Sequence, residues 1–321
     1  MPPKRKWLRR LFRLFVALFA VLILADFGYS RYVNWAVARF ESQVERTDAG
    51  VAAGCEAYTI GTGDTAILFI HGINESAYTW RKMAPRFESL GYTCRVMRLP
   101  GFAETNEMYG SHTADDWVKV TLEELESLNQ KHDRVFVVAH SLGGAVAIQA
   151  ILQQPAATDG LILLAPAVQV SNTRSPILST RSWHELGKWL WFTDTLYSPF
   201  GVDVNDPAER SDPNRTPFTP MNVVDGTFDL IDRNTDRADE IVQPVLLVVS
   251  HSDAVIESDA AVGFFANREL AKTEVFWNDK ATHGLPYDFG WEEVVDHAHQ
   301  FIQSTQLQTD DAAIDSRKQN P

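Results

Sequence analysis

Arg134-Val135-Phe136-Val137-Val138-Ala139, then His140-Ser141-Leu142-Gly143-Gly144, then Ala145-Val146-Ala147-Ile148: this run decides how the chain folds. The first six residues are nearly all apolar and rich in valine, the pattern of a strand buried on both faces. Leu142 to Gln154 reads as a helix. Ser141 therefore sits on a sharp turn between strand and helix, at the helix's positive end. Gly143 and Gly144 let that helix approach neighbouring strands closely. The letters match G-x-S-x-G, with Ala139 in the first glycine's place. Any small-residue turn can match the letters alone. Between a buried strand and a helix, they mark a serine presented for chemistry. The plain alternative is a serine that only caps the helix.

Working outward, strand and helix patterns alternate. Thr65 to Ile70 is a short apolar run preceded by the turn signals Gly61, Gly63 and Asp64. Residues 77 to 90 carry Trp80, Met83, Phe87 and Leu90 at helical spacing. Strands are predicted at 93–99, 161–165, 245–250 and 274–277, and helices at 115–128 and 291–303. Apolar strands alternating with helices predict an α/β fold: a mostly parallel central sheet with helices on both faces. The 79 residues between Ala165 and Val245 interrupt the alternation. They hold eight prolines and Trp183, Trp189, Trp191, Phe192, Tyr197 and Phe200. A structureless loop of that length is improbable, so an inserted helical lid is expected at about 168–240. Its aromatics are expected to form the lid's own small core, and Trp189 and Trp191 also to wall the substrate.

Together these features resemble the α/β-hydrolase fold family over roughly residues 60 to 303. The resemblance implies a nucleophile at Ser141. It makes His71-Gly72 the oxyanion loop, with His71 and Gly72 beside the substrate and the backbone N–H groups of Ile73 and Leu142 holding the oxyanion. Leu99-Pro100-Gly101-Phe102 departs from the family's D-x-x-G-x-G-x-S run at its first position. The family order of serine, acid, histidine assigns Asp253, after the strand at 245–250, and His283, after the last strand. His251 precedes the acid and fits less well. His297 and His299 lie on the closing helix and are expected in solvent, and His140 is expected to point away from the serine. The middle of the chain looks most like carboxylesterases and monoacylglycerol-lipase-like enzymes. In the family's sheet order, Cys55 and Cys94 approach each other, so they are expected either as a disulfide or as two buried thiols.

Composition bounds the rest. The chain has 321 residues, 29 Lys+Arg against 42 Asp+Glu, and a mean hydropathy of -0.18. That excludes collagen-like, disordered and multi-spanning classes. Six of the bases lie within residues 1–13, which leaves 23 bases against 42 acids, a net of -19, for the remainder. Such a body repels phosphate backbones, so nucleic acid is not an expected partner. Leu14 to Ala25 is uninterrupted apolar sequence, with Trp7 at one end and Tyr29, Tyr32 and Trp35 at the other. Residues 1–35 are read as a membrane anchor, ahead of a cleaved signal or an interfacial helix. The basic start then lies in the cytoplasm and the catalytic body outside. The body is expected at 50–303 and a flexible tail at 304–321.

Gly61-Thr62-Gly63-Asp64-Thr65-Ala66 matches a dinucleotide fingerprint in letters only, because a strand follows it. No H-E-x-x-H, P-loop or C-x-x-C occurs, and a serine mechanism calls for no metal and no cofactor. The sequence therefore predicts a serine hydrolase acting on small-molecule or lipid-derived carboxylic esters. A peptidase or amidase of the same fold is the first alternative. A non-catalytic binding protein on the same scaffold is the second.

Overall fold

The chain begins with a 38-residue helix, α1 (Lys4–Glu41). β1 (Tyr58–Ile60), β2 (Thr65–Ile70), α2 (Met83–Ser89) and β3 (Thr93–Val96) follow. Next come α3 (Asn106–Ser111), α4 (Ala114–Asn129), β4 (Arg134–His140), α5 (Leu142–Gln153) and β5 (Gly160–Leu164). The insertion then contributes α6 (Thr180–Leu190), β6 (Thr195–Tyr197), β7 (Phe218–Pro220) and α7 (Met221–Asn234). β8 (Val245–Val249), α8 (Ser258–Phe265), β9 (Thr273–Trp277) and α9 (Trp291–Gln319) close the chain. This computed structural model describes residues 4–319 except 176, 199–200, 212–213, 267 and 269–270. Phe200 therefore lies outside the described residues.

Seven strands form one sheet in the order β1-β3-β2-β4-β5-β8-β9. Only β1 is antiparallel to its neighbour. Side chains alternate across the sheet, as a twofold period demands. On β4, Val135, Val137 and Ala139 enter a core shared with α4, α5, α7 and α8, while Phe136 and Val138 enter one shared with α2 and α9. The parallel register pairs Ile70 with Ala139, His140 with Leu164 and Val249 with Trp277. The loops after β2, β4, β8 and β9 therefore leave along one edge, the carboxyl edge, where ligands bind in open α/β sheets.

Several local expectations change. The helix expected at 77–90 splits into a 3-10 turn, Ala77–Trp80, and α2. β3 stops at Val96, because the Leu99 N–H turns to the His71 side chain at 3.1 Å. Backbone at 304–319 continues α9 as helix where a polar tail was expected, and Asn320 and Pro321 lie outside the described residues. The insertion is not purely helical, since β6 and β7 pair antiparallel. Its second helix, α7, packs on the main body: Asn234 Nδ2 donates to the Ala145 carbonyl at 2.9 Å in the buried interior.

Cys55 and Cys94 are two separate buried thiols. The register explains why. Cys94 lies opposite Ile60, five residues beyond Cys55, and its thiol donates instead to the Ala84 carbonyl. Burial pushes that thiol up to about 12, so it stays protonated and inert.

α1 divides at Asp26. Every side chain from Trp7 to Ala25 is exposed, and this stretch is long and apolar enough to cross a membrane. Beyond it, the helix joins the body. Val33 is fully buried, Tyr32 meets Tyr197, Phe40 meets Phe218, and Glu41 accepts the Asn106 N–H at 2.6 Å. The sequence reading ended this segment at residue 35, but the helix continues to Glu41.

Candidate active site

Ser141 occupies the turn between β4 and α5 at φ 52 and ψ -118, a strained conformation for a residue with a Cβ. The strain is held by packing. A Cβ on Gly143 would stand 2.5 Å from the Ile70 carbonyl oxygen, and one on Gly144 would stand 2.7 Å from Pro166. The two glycines thus allow α5 to press against the strand ends and push Ser141 out at its N-terminus.

His283 lies in the loop after β9. Its Nε2 is 3.0 Å from Ser141 Oγ, and its Nδ1 is 2.8 Å from Asp253 Oδ2. Asp253 Oδ1 accepts the backbone N–H groups of Val255 and Ile256 at 2.8 and 2.9 Å. Those bonds fix the carboxylate, which fixes the ring with its proton on Nδ1 and its lone pair on Nε2 toward the serine. Burial alone would lower the pKa of His283, but the Asp253 charge and hydrogen bond outweigh it and raise the value. Asp253 is buried too, yet the His283 partnership and two N–H donors hold its carboxyl below the ordinary carboxylate value.

The sign for catalysis follows. Only a neutral His283 can accept the serine proton. If the base acts as described, kcat/KM should rise with pH and level off, with its inflection above the ordinary imidazole value of 6.5. A pH–rate profile on a short-chain ester measures this, and an inflection below 6.5 contradicts the assignment.

Ile73 and Leu142, the expected oxyanion donors, lie on the loop after β2 and at the start of α5. Among the described residues neither backbone N–H donates to an acceptor, so both remain available. Gly72 is different: its N–H donates to Glu75 Oε2 at 2.7 Å. A Cβ there would stand 3.0 Å from that of Ser141, so Gly72 serves close packing. His71 is fully buried and does not face substrate, contrary to expectation. Its Nδ1 meets the Gly72 carbonyl and its Nε2 accepts the Leu99 N–H, which fits a neutral ring; burial lowers its pKa to about 4.

A second polar cluster lies behind the first. Glu75, buried, accepts from Gly72 N–H, faces His140 Nδ1 at 2.9 Å and accepts from Arg215 Nη1 at 2.9 Å and Tyr287 O–H at 3.3 Å. His140 Nε2 is 2.9 Å from the His283 carbonyl oxygen. His140, expected to point away from the serine, bonds Glu75 and the His283 carbonyl, and its ring packs 4.8 Å from that of His283. Both of its nitrogens face oxygens, one of the Glu75 carboxylate and one of the His283 carbonyl. Glu75 thus ties together the oxyanion loop, the serine turn, the histidine loop and the insertion. Fully buried Asp288 does similar work, accepting Thr282 N–H before His283 and Asn205 and Asp206 N–H from the insertion.

A cleft of about 420 Å³ opens over His283 and Ile73, with Phe40 of α1, Val255, Arg174 and Arg215 among its walls. Trp189 and Trp191 are not among them. Trp189 is 88% exposed on α6, so the expected aromatic wall and lid core are both corrected: α6 turns these rings outward. His251 stacks on Trp277 beside Asp279, away from the serine. His297 is exposed, and His299 bonds the Tyr92 hydroxyl.

Residues 62–289 match the family described as serine aminopeptidase, S33. The chain belongs to that family. Two relatives agree with it over most of their length. One is a thermostable monoacylglycerol lipase of Bacillus sp. (strain H-257), 23% identical over 253 residues, covering 78% of this chain and 96% of the relative. The other is a carboxylesterase of Bacillus subtilis (strain 168), 20% identical over 247 residues, covering 77% and 95%. The fold is that of the α/β-hydrolases. A monoacylglycerol lipase from Paleococcus ferrophilus superposes with a TM-score of 0.65 at 19% identity, covering 78% of this chain and 98% of that one. The S33 match begins at residue 62, so α1 lies outside it.

Proposed function

We propose that this S33 member is a membrane-anchored serine hydrolase that cleaves carboxylic esters, with lipid-derived monoesters as its substrates. Ser141 Oγ attacks the ester carbonyl while His283 Nε2 takes its proton. Asp253 stabilises the imidazolium. The oxyanion sits between the N–H groups of Ile73 and Leu142. His283 then protonates the departing alcohol, and water repeats the sequence on the acyl-enzyme. The observation that carries this reading is the unbroken chain Ser141–His283–Asp253, at 3.0 and 2.8 Å, on a turn of positive φ. An intact chain also argues against a non-catalytic scaffold.

The relatives' ester substrates support the reaction class. The anchor reading draws on the exposed apolar half of α1, and the basic residues before it support a body on the extracytoplasmic side. Retention of α1 is supported by its second half, because removal beyond Val33 would strip a buried residue from the body. Phe40, on the same helix, walls the cleft, so anchor and cleft are parts of one element.

The family description favours a second reading, an aminopeptidase. A free substrate amine needs a carboxylate partner. Among the described residues of the cleft wall the carboxylate is Asp203, and it already bonds Arg174 at 2.6 Å, which favours esters. Comparing kcat/KM for monoacylglycerols, p-nitrophenyl acetate and aminoacyl-anilides tests this. Long-chain monoesters are expected to lead. A lead for anilides overturns the ester reading, and a lead for acetate leaves a general esterase.

A further inference from the structure

The geometry points to a second membrane contact: the outward face of α6 is a bilayer-docking surface, held at the height of the membrane by α1. This rests on the anchor reading above. Trp7 to Ala25, with Arg9, Arg10 and Arg13 reaching back to the interface at its start, is 19 residues of helix, a length of about 28 Å at 1.5 Å per residue, close to the roughly 30 Å hydrocarbon core. The bilayer surface therefore falls at Asp26, the first acidic residue of α1. That is also where α6 attaches. Phe192, two residues beyond α6, donates its N–H to Asp26 Oδ2 at 3.0 Å and accepts from Ser30 O–H at 3.2 Å. Its ring meets Phe27 edge-on with centroids 6.4 Å apart. The end of α6 is thus pinned to the point where α1 leaves the membrane.

α6 is also turned inside out. Its polar side faces the body, where His184 and Lys188 bond Asp225 of α7 at 2.8 Å and Arg181 pairs with Asp232. Trp183, Leu186 and Leu190, at spacings of three and four, share the opposite side, flanked by Trp189. These four are exposed, Leu190 at 59% and Trp189 at 88%. A helix in contact with water hides its apolar stripe, and one lying in a membrane interface shows it. Tryptophan suits that depth. The body's net of -19 gives no attraction to anionic lipid, so apolar burial is the driving force and phosphatidylcholine suffices.

The test uses the full chain in phosphatidylcholine proteoliposomes. Single cysteines replace Trp189, Leu190, Leu18 of the anchor and exposed Lys131 at the far end of the sheet, each carrying an environment-sensitive fluorophore. Wild type, with two buried thiols, sets the labelling background. The expected result is blue-shifted emission, lost on adding nitroxide-labelled lipid, at 18, 189 and 190 but not at 131. Quenching at 18 with water-like emission at 189 and 190 overturns the docking surface and leaves the anchor standing. A blue shift at 189 without lipid quenching means that a second protein copy covers α6, and also overturns it. No quenching at 18 refutes the anchor reading, and the docking surface falls with it.

Discussion

Replacing Ser141 with alanine is expected to lower kcat by roughly 10³- to 10⁶-fold while the protein folds normally. The hydroxyl's described side-chain partner is the His283 ring, so the substitution strips nothing else from the interior. The strained backbone is shared by both residues, since alanine and serine pay alike for a φ of 52. His283→Ala should be comparably damaging, and the double variant should be little worse than either single one. The reason is chemical: without the nucleophile a base has nothing to activate, and without the base the hydroxyl is not a nucleophile. Asp253→Asn should lose activity as well, because an amide can offer N–H toward Nδ1 and favour the wrong tautomer. Turnover of a p-nitrophenyl ester, with circular dichroism as the folding control, measures all four variants. A fluorophosphonate should label wild type at Ser141 and not the alanine variant. Ester hydrolysis surviving in Ser141→Ala would remove this serine from the mechanism, whatever its geometry.

The three residues of that chain were readable because each follows a strand that announces itself. Val135–Ala139, Val245–Val249 and Glu274–Trp277 are local patterns, and parallel topology brings their carboxyl ends to one edge. What the sequence hid depends on long-range partners. Glu75 is 65 residues from His140 and 140 from Arg215, and no local period says that a loop glutamate turns inward. β6 and β7 have three residues each, too few for alternation to register, and β7 ends in proline. The phase of α6 is ambiguous for a similar reason. Its stripe of Trp183, Leu186 and Leu190 fits a buried face and an exposed one equally well, and carboxylates of α7 decide which way it turns. Residues 26–35 of α1 read as part of the anchor because Phe27 and Tyr29 continue the apolar span. The packing of Val33 and Phe40 makes it part of the catalytic body.

Glu75→Gln should both destabilise the protein and slow turnover, and the two effects should separate. The carboxylate receives four donors: Gly72 N–H, His140, Arg215 and Tyr287. An amide has one acceptor oxygen, and its NH₂ would confront donors. It also leaves the mostly buried Arg215 without its counter-charge. Breaking one side of a buried pair costs about 3–5 kcal/mol, which denaturant titration would read directly. Neutralising the partner too, in Glu75→Gln/Arg215→Gln, should recover part of that stability. It should not recover turnover. Gly72 and His140 share one oxygen of Glu75, which in the amide no longer carries charge, so the Ile73 N–H and the His283 ring are held less firmly in register with Ser141. Displacements near 1 Å at reacting groups cost on the order of 10²-fold. The loss should appear in kcat more than in KM, since Glu75 is buried beneath the cleft and touches no substrate. If the double variant regains activity in step with stability, Glu75 is a structural residue only, and the geometry of the oxyanion loop does not depend on it.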